Sequence, residues 1–221
     1  MKKIFVHGLG QNASSWDGTI SHMEHKGSIS CPDLVSLLGG REARYPDLYS
    51  SFARYCDQEG GQLHLCGISL GGVLALHYTL DRPEEVDSLV LIGTPHKTPK
   101  AMLGVQNTIF HLLPRCFFKG MGFCKEDILA LGSSMREMDL SGRVRDVRCP
   151  VLIVCGKKDR ANLRPAQYLS AHIKGARSEI LEHTGHVVNE EAPEKLARIL
   201  DGYYGQLGRH GRPRGPADPE R

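Results

Sequence analysis

The sequence predicts an α/β fold: a mainly parallel sheet of about six strands, helices on both faces, and a small helical cap inserted after the fourth strand. Three observations predict it. Short apolar runs recur along the chain, as strands buried on both faces require. Segments with helical spacing separate them, and glycine or proline closes most runs. At 221 residues the chain has material for one substantial core, with no internal repeat and no mark of a second domain.

Lys3 to Val6 is the first β-rich run, and it stops at His7-Gly8-Leu9-Gly10. Asn12 or Ser14 can cap a helix running through Trp16 and Ile20 to about His25. Gly27 to Cys31 offers a second strand, closed by Pro32-Asp33. Pro46 can open a helix whose Leu48, Phe52 and Tyr55 form one apolar face. A buried strand over Leu63 to Cys66 leads into a tight turn and a helix to about Leu80. Val86 to Ile92 is the fourth strand, ending at Gly93-Thr94-Pro95. Strand rhythm returns only at Cys149 to Gly156. A helix around Pro165 to His172, a strand around Arg177 to Leu181 and a final helix from Asn189 to about Tyr203 complete the set. The expected organisation is a core formed by 1–95 and 140–204, a cap over 96–139, and a tail over 205–221 too poor in apolar residues to order.

Composition narrows the classes of function. Hydrophobic content of 40% and charged content of 24% fit a globular chain, and a net charge of +3 favours neither nucleic acid nor an acidic partner. The arginines of the tail, Arg209, Arg212, Arg214 and Arg221, read as a solvated segment, so no nucleic-acid partner is expected. Seven cysteines, scattered and without a Cys-x-x-Cys pair, suit reduced thiols in a cytoplasmic protein better than a disulfide framework or a zinc site. The opening Met1 to His7 is apolar too briefly for a signal peptide, and no run reaches the ~18 apolar residues of a membrane span. No metal, cofactor or membrane partner is expected; a small-molecule substrate is.

The chemistry begins at Gly67-Ile68-Ser69-Leu70-Gly71, a Gly-x-Ser-x-Gly between a strand and a helix. A serine held in such a turn projects its hydroxyl from the top of the sheet, and small neighbours let strand and helix approach closely. In a chain with 25 glycines the pentapeptide alone decides little. Its partners decide. Groups that act together on a parallel sheet belong at the carboxyl ends of its strands. Asp159, in Gly156-Lys157-Lys158-Asp159, and His186, in His183-Thr184-Gly185-His186, both follow strands. Each alone reads as a solvated loop residue. Together they supply what a serine nucleophile needs: an imidazole to accept its proton, and an acid to fix the tautomer and stabilise the imidazolium. Backbone N–H groups of Leu9 and Leu70 are the candidate donors to the developing oxyanion, with Gly8 keeping the first loop open.

With those residues in view, the chain resembles the α/β-hydrolase fold superfamily, most closely its small bacterial esterases, lactonases and carbon–carbon hydrolases. His7-Gly8-Leu9-Gly10, Gly67 to Gly72, Gly156 to Asp159 and Gly185-His186 carry the likeness, supported by Arg82 to Ile92 and Glu191-Ala192-Pro193-Glu194. It covers Lys3 to about Tyr203. The order serine, acid, histidine is that of the superfamily's triad. Two departures stand out: there is no space for the usual N-terminal hairpin, and the segment after Asp33 lacks the relatives' glycine-rich loop.

The resemblance places 96–139 over Ser69 as the cap. Its Phe, Met and Leu residues, Phe110 and Phe117 among them, either line an apolar pocket or pack a core of their own, and His96 at the strand end is a candidate substrate contact. Three functions follow. The first is a serine hydrolase cleaving a small ester or thioester. The second uses the same triad as a carbon–carbon hydrolase or a lyase of the menaquinone-biosynthesis type, which would hold a substrate carboxylate with an arginine such as Arg115 or Arg136. The third is a catalytically silent binding protein on the same fold, which the intact triad disfavours.

Overall fold

A computed structural model describes residues 2–98 and 122–209. Six strands form one sheet in the order β2-β1-β3-β4-β5-β6, every neighbouring pair parallel: β1 Lys2–Val6, β2 Ser28–Ser30, β3 Leu63–Ile68, β4 Val86–Ile92, β5 Val151–Gly156 and β6 Arg177–Leu181. β3 and β5 are buried at every residue, which is why their sequences are nearly continuous apolar runs; the exception is His64, whose Nδ1 is hydrogen-bonded with Ser88 Oγ at 2.8 Å. The edge strands β2 and β6 are largely exposed.

Residue parity divides the sheet between two cores. Ile4, Val6, Leu65, Leu89, Leu91 and Ile153 face one layer of helices, while Phe5, Cys66, Val90, Ile92, Leu152 and Val154 face the other. The first layer contains α2 Leu34–Leu38, α3 Tyr45–Glu59, α4 Leu70–Asp81 and α6 Leu163–His172. The second is built on Trp16 and on α8 Pro193–Arg209, which buries Leu196, Ala197, Leu200, Tyr203 and Tyr204. α4 is apolar and buried almost all round, as a helix between sheet and outer helices must be.

Several expected boundaries move. Asn12 does cap, accepting from the Ser14 N–H, but a 3-10 turn over Ala13–Trp16 precedes α1, which spans Asp17–His22 and stops short of His25. In α3, Leu48 and Phe52 are buried, but the third inward place belongs to Cys56; Tyr55 is half-buried and donates its hydroxyl to Ser30 Oγ at 2.9 Å. The final helix is two, α7 Val188–Glu191 and α8, divided where Pro193 lacks an N–H to continue the ladder. α8 runs to Arg209, so the expected tail begins too early, and its remainder lies outside the described residues. α2 was not foreseen. It is only five residues long, too short for a periodic signal, though its ends carry one: the Asp33 carboxylate accepts from Ser36 N–H at 2.8 Å, and Gly39 closes it at φ 59°.

The insertion between β4 and β5 is described only at its ends. Lys97 pairs with Asp139, the Thr98 N–H donates to Met138 O at 3.0 Å, and the Leu140 N–H donates to His96 O at 2.9 Å. Helix α5, Lys125–Ser134, presents Ile128 and Leu131 to the same buried cluster that holds Ile4, Val6 and Phe52. This part of the insertion shares the core of the sheet instead of forming one of its own.

Candidate active site

The strand register brings five chain turns to one edge. Val6 pairs with Gly67, Ile68 with Ile92, Ile92 with Val154 and Gly156 with Leu181, so β1, β3, β4, β5 and β6 end together. The strand order reverses at β1, which is flanked by β2 and β3, and a crevice opens outside the carboxyl ends at such a reversal.

Ser69 stands in that crevice between β3 and α4. Its φ of 53° lies in the left-handed region, shared among non-glycine described residues only with His183, and costs on the order of 1–3 kcal/mol. The surroundings impose it. The Ser69 N–H donates to Ile92 O at 2.9 Å on β4, and its carbonyl accepts from Val73 N–H at 3.0 Å to begin α4. The flanking glycines are required by contact: a Cβ at Gly67 would stand 2.3 Å from Gly71 O, and one at Gly71 would stand 2.2 Å from Val6 O.

His186 follows β6, and its Nδ1 is 2.6 Å from Asp159 Oδ2 after β5. The short distance suits a charge-assisted bond in which Nδ1–H donates to the carboxylate, and in the neutral imidazole of that tautomer Nε2 carries the lone pair. The Asp159 side chain is 5% exposed and the imidazole 40%, so the acid is enclosed while the base opens to the crevice. Burial pushes the Asp159 carboxyl up. Hydrogen bonds from His186 and Asn162, with the adjacent imidazole, outweigh that and hold the group below its ordinary 3.8.

Four supporting residues were not singled out from the sequence. Gly93, at φ 50°, is the floor beneath the pair: a Cβ there would be 3.0 Å from His186 Nδ1 and 3.2 Å from Asp159 Oδ2. Asn162 Nδ2 donates to both Asp159 oxygens, at 3.0 and 2.9 Å. The Glu191 carboxylate accepts from the N–H groups of Gly185 (2.6 Å) and Val187 (3.2 Å), one on each side of His186. Gln11 Oε1 accepts from Gly8 N–H at 3.0 Å while its Nε2 donates to Asn189 and Glu190, tying the β1 loop to the segment after His186. The sequence signals among these were glycine at a strand end and the place of Glu191 in the phrase Glu191-Ala192-Pro193-Glu194; the roles themselves depend on partners brought together by the fold.

The β1 loop is anchored from below. Buried His7 donates from Nδ1 to Gly8 O at 2.9 Å and accepts the Leu34 N–H at Nε2, 3.1 Å away. Gly8 passes close beside the serine, its Cβ position 3.4 Å from Ser69 Cβ. Among the described residues no hydrogen bond engages the Leu9 N–H. Leu70 is the first residue of α4, where an N–H has no partner within the helix.

Ser69, His186, Asp159, Leu9 and Leu70 all line one cavity of about 400 Å³. Val73, Pro95, Leu131, Met135, Ala161 and Pro165 make the rest of its wall mostly apolar, with Thr98 and Asn162 as further polar members. No lysine or arginine lines it among the described residues. Arg136 is exposed in the turn that follows α5 and is not part of the wall; Arg115, Phe110 and Phe117 lie outside the described residues. His96 departs from expectation. It is 5% exposed and its ring stacks on Tyr168 at 4.1 Å, so it packs the base of the insertion rather than the cavity wall. Among the described residues, no group of three or more His, Cys, Asp or Glu is placed to hold a metal ion, and no helix is long and apolar enough to cross a membrane.

A serine in a strained strand–helix turn, facing a His–Asp pair across one cavity on a parallel sheet, defines the class of the α/β hydrolases. The chain belongs to the alpha/beta hydrolase family, whose model matches residues 4–199. It is 22% identical over 235 residues to a pimeloyl-[acyl-carrier protein] methyl ester esterase of Nitrosomonas europaea, covering 90% of this chain and 93% of that protein. It is 24% identical over 231 residues to 3-oxoadipate enol-lactonase 2 of Acinetobacter baylyi, covering 90% and 86%. In fold it is similar to MenH of S. aureus, with TM-score 0.79, 14% identity and 94% of each chain covered. A carboxylesterase structure from Nitrososphaera gargenis has TM-score 0.80 and 18% identity, with 94% of this chain and 91% of that one covered. The chain is an enzyme of the hydrolase class.

Proposed function

We propose that this enzyme cleaves a small carboxylic ester or thioester through an acyl-enzyme on Ser69, with His186 as base and Asp159 as the orienting acid. The observation that carries the reading is the 2.6 Å His186–Asp159 pair opening on the cavity that Ser69 lines. In the first step Ser69 Oγ attacks the substrate carbonyl as His186 Nε2 takes its proton. Charge developing on the carbonyl oxygen is met by the N–H groups of Leu9 and Leu70. His186 then gives the proton to the leaving alkoxide or thiolate, and the acyl group stays on Ser69. Water, deprotonated by the same imidazole, attacks the acyl-enzyme; the bond from the acyl carbon to Ser69 Oγ breaks, the imidazolium returns its proton to Oγ, and the acid is released. Asp159 stays ionised throughout, compensating the imidazolium charge.

In this reading the insertion caps the pocket, and of its described residues Thr98, Leu131, Gly132 and Met135 contribute to the wall. The apolar part of the wall, Val73, Pro95, Leu131, Met135 and Pro165, suits an apolar acyl group. The relatives named as a methyl ester esterase and an enol-lactonase support cleavage of an ester bond. A fluorophosphonate probe is expected to label the protein, and Ser69→Ala to abolish labelling together with turnover of p-nitrophenyl esters. Labelling that persists in Ser69→Ala would refute the nucleophile. Turnover of a vinylogous diketone in preference to the esters would transfer the triad to the carbon–carbon reaction.

A further inference from the structure

Resting on that reading of Ser69 and His186, we propose that Asn162 is a positioning residue that fixes the Asp159 carboxylate and sets the basicity of His186. It stands at the start of α6, three residues after Asp159, and lines the cavity. Its Nδ2 reaches both carboxylate oxygens, at 3.0 and 2.9 Å, and its backbone N–H approaches Oδ1 at 3.3 Å. Oδ2 is also the oxygen that receives His186 Nδ1–H, and Asn162 Nδ2 is 3.3 Å from that same nitrogen. One amide therefore touches both members of the pair.

Two consequences follow from the geometry. A carboxylate bound through both oxygens cannot rotate about its Cβ–Cγ bond, so Oδ2 stays directed at the imidazole. The amide protons also draw on the carboxylate's negative charge, leaving less of it to stabilise an imidazolium. Asn162 thereby fixes the carboxylate's orientation and shares its charge. Other titratable groups facing the pair are Cys155 at the end of β5, whose thiol burial and Asp159 push up to about 12, and Glu191 on α7, which holds the N–H groups flanking His186. Lys157, Lys158 and Arg160 share the β5 loop with Asp159 but are exposed. All of these are common to wild type and variant, so a comparison isolates Asn162.

The test uses the full chain and p-nitrophenyl acetate, with kcat/KM measured against pH for wild type, Asn162→Leu and Asn162→Asp. Asn162→Leu is expected to move the acid limb up by roughly half to one pH unit, because the uncompensated carboxylate favours the imidazolium. Asn162→Asp, with a second carboxylate beside the first, is expected to move it further. Aspartate serves a helix start as well as asparagine, so this variant keeps the proposal testable should the leucine variant fold poorly. The His186 imidazole titration, followed by NMR and assigned with His186→Gln, is expected to shift in the same direction and needs no turnover. An unmoved titration and superimposable profiles in both variants would overturn the role of Asn162 while leaving Ser69-dependent hydrolysis intact. Hydrolysis or labelling independent of Ser69 would instead fail the underlying reading.

Discussion

The proposed nucleophile and the proposed base are held by different forces. Ser69 sits in a turn made by contact: three glycines, Gly67, Gly71 and Gly72, leave no space for a Cβ, and backbone bonds to β4 and α4 fix the strained φ. His186 sits on a loop held by polar groups, with Asp159 and Asn162 on one side and the Glu191 carboxylate beneath. Contact fixes position without regard to charge. Hydrogen bonds fix position and charge together, which suits a group proposed to gain and lose a proton in each half of the reaction. Changes on the serine side should therefore appear as lost stability, and changes on the histidine side as lost rate.

The largest effect is expected from Gly71→Ala. The new methyl group would stand 2.2 Å from Val6 O and 2.6 Å from His7 O, both backbone atoms of a buried strand end that cannot swing aside. A destabilisation of roughly 3 kcal/mol or more is expected in urea unfolding, or failure to fold. Gly202→Ala is the control. That helical glycine in α8 has nothing within 4 Å of its Cβ position, and alanine should stabilise by roughly 0.5–1 kcal/mol. Equal tolerance of both substitutions would contradict the packing account of the serine turn.

Asp159→Asn probes the other side. Asparagine keeps the shape but removes the charge that selects the Nδ1–H tautomer, so kcat is expected to fall by about 10²–10⁴-fold. The thermal midpoint should move far less than in Gly71→Ala, since no atom is added and Asn162 remains to bond the new amide oxygen. A variant that unfolds as readily as Gly71→Ala would show that the pair is structural, and the contrast between the two sides would collapse.

The same contrast explains what was legible in the sequence. β3, β4 and β5 were readable because strands buried on both faces are mostly apolar, and their polar residues, His64, Asp87 and Ser88, are confined to the first positions of β3 and β4. Ser69, Asp159 and His186 were readable because each follows a strand in an order the chemistry requires, and the register brings those strand ends together. Asn162, Glu191 and Gln11 were not. Their residue types are common in loops, and what distinguishes them is proximity: Gln11 meets Glu190 across 179 positions of sequence. His96 misled for a related reason. Its place after β4 is that of a site residue, but its ring turns onto Tyr168.

The smallest effect concerns acid stability, and it lies on the serine side. His7 is fully buried and uses both ring nitrogens, donating from Nδ1 to Gly8 O and accepting from Leu34 N–H at Nε2. Protonation would place a second N–H against the Leu34 donor, with Asp33 Oδ2 at 3.9 Å from Nε2. Burial holds the His7 pKa below its ordinary 6.5, against smaller opposing effects from Gly8 and Asp33. The unfolded chain therefore binds its proton first as pH falls. The stability that neutral His7 contributes is complete above about pH 6.5 and is lost as pH drops towards the folded value. His64, His77 and His96 are depressed by burial in the same direction, so wild type alone cannot isolate the effect. His7→Asn removes one titrating site. Its unfolding free energy should be lower at pH 7.5, but its decline between pH 6.5 and 5 should be shallower by up to about 1.4 kcal/mol per pH unit. Parallel declines in the two proteins would mean that His7 takes up no proton on unfolding. The β1 loop would then owe its acid tolerance to packing alone, as the serine turn does.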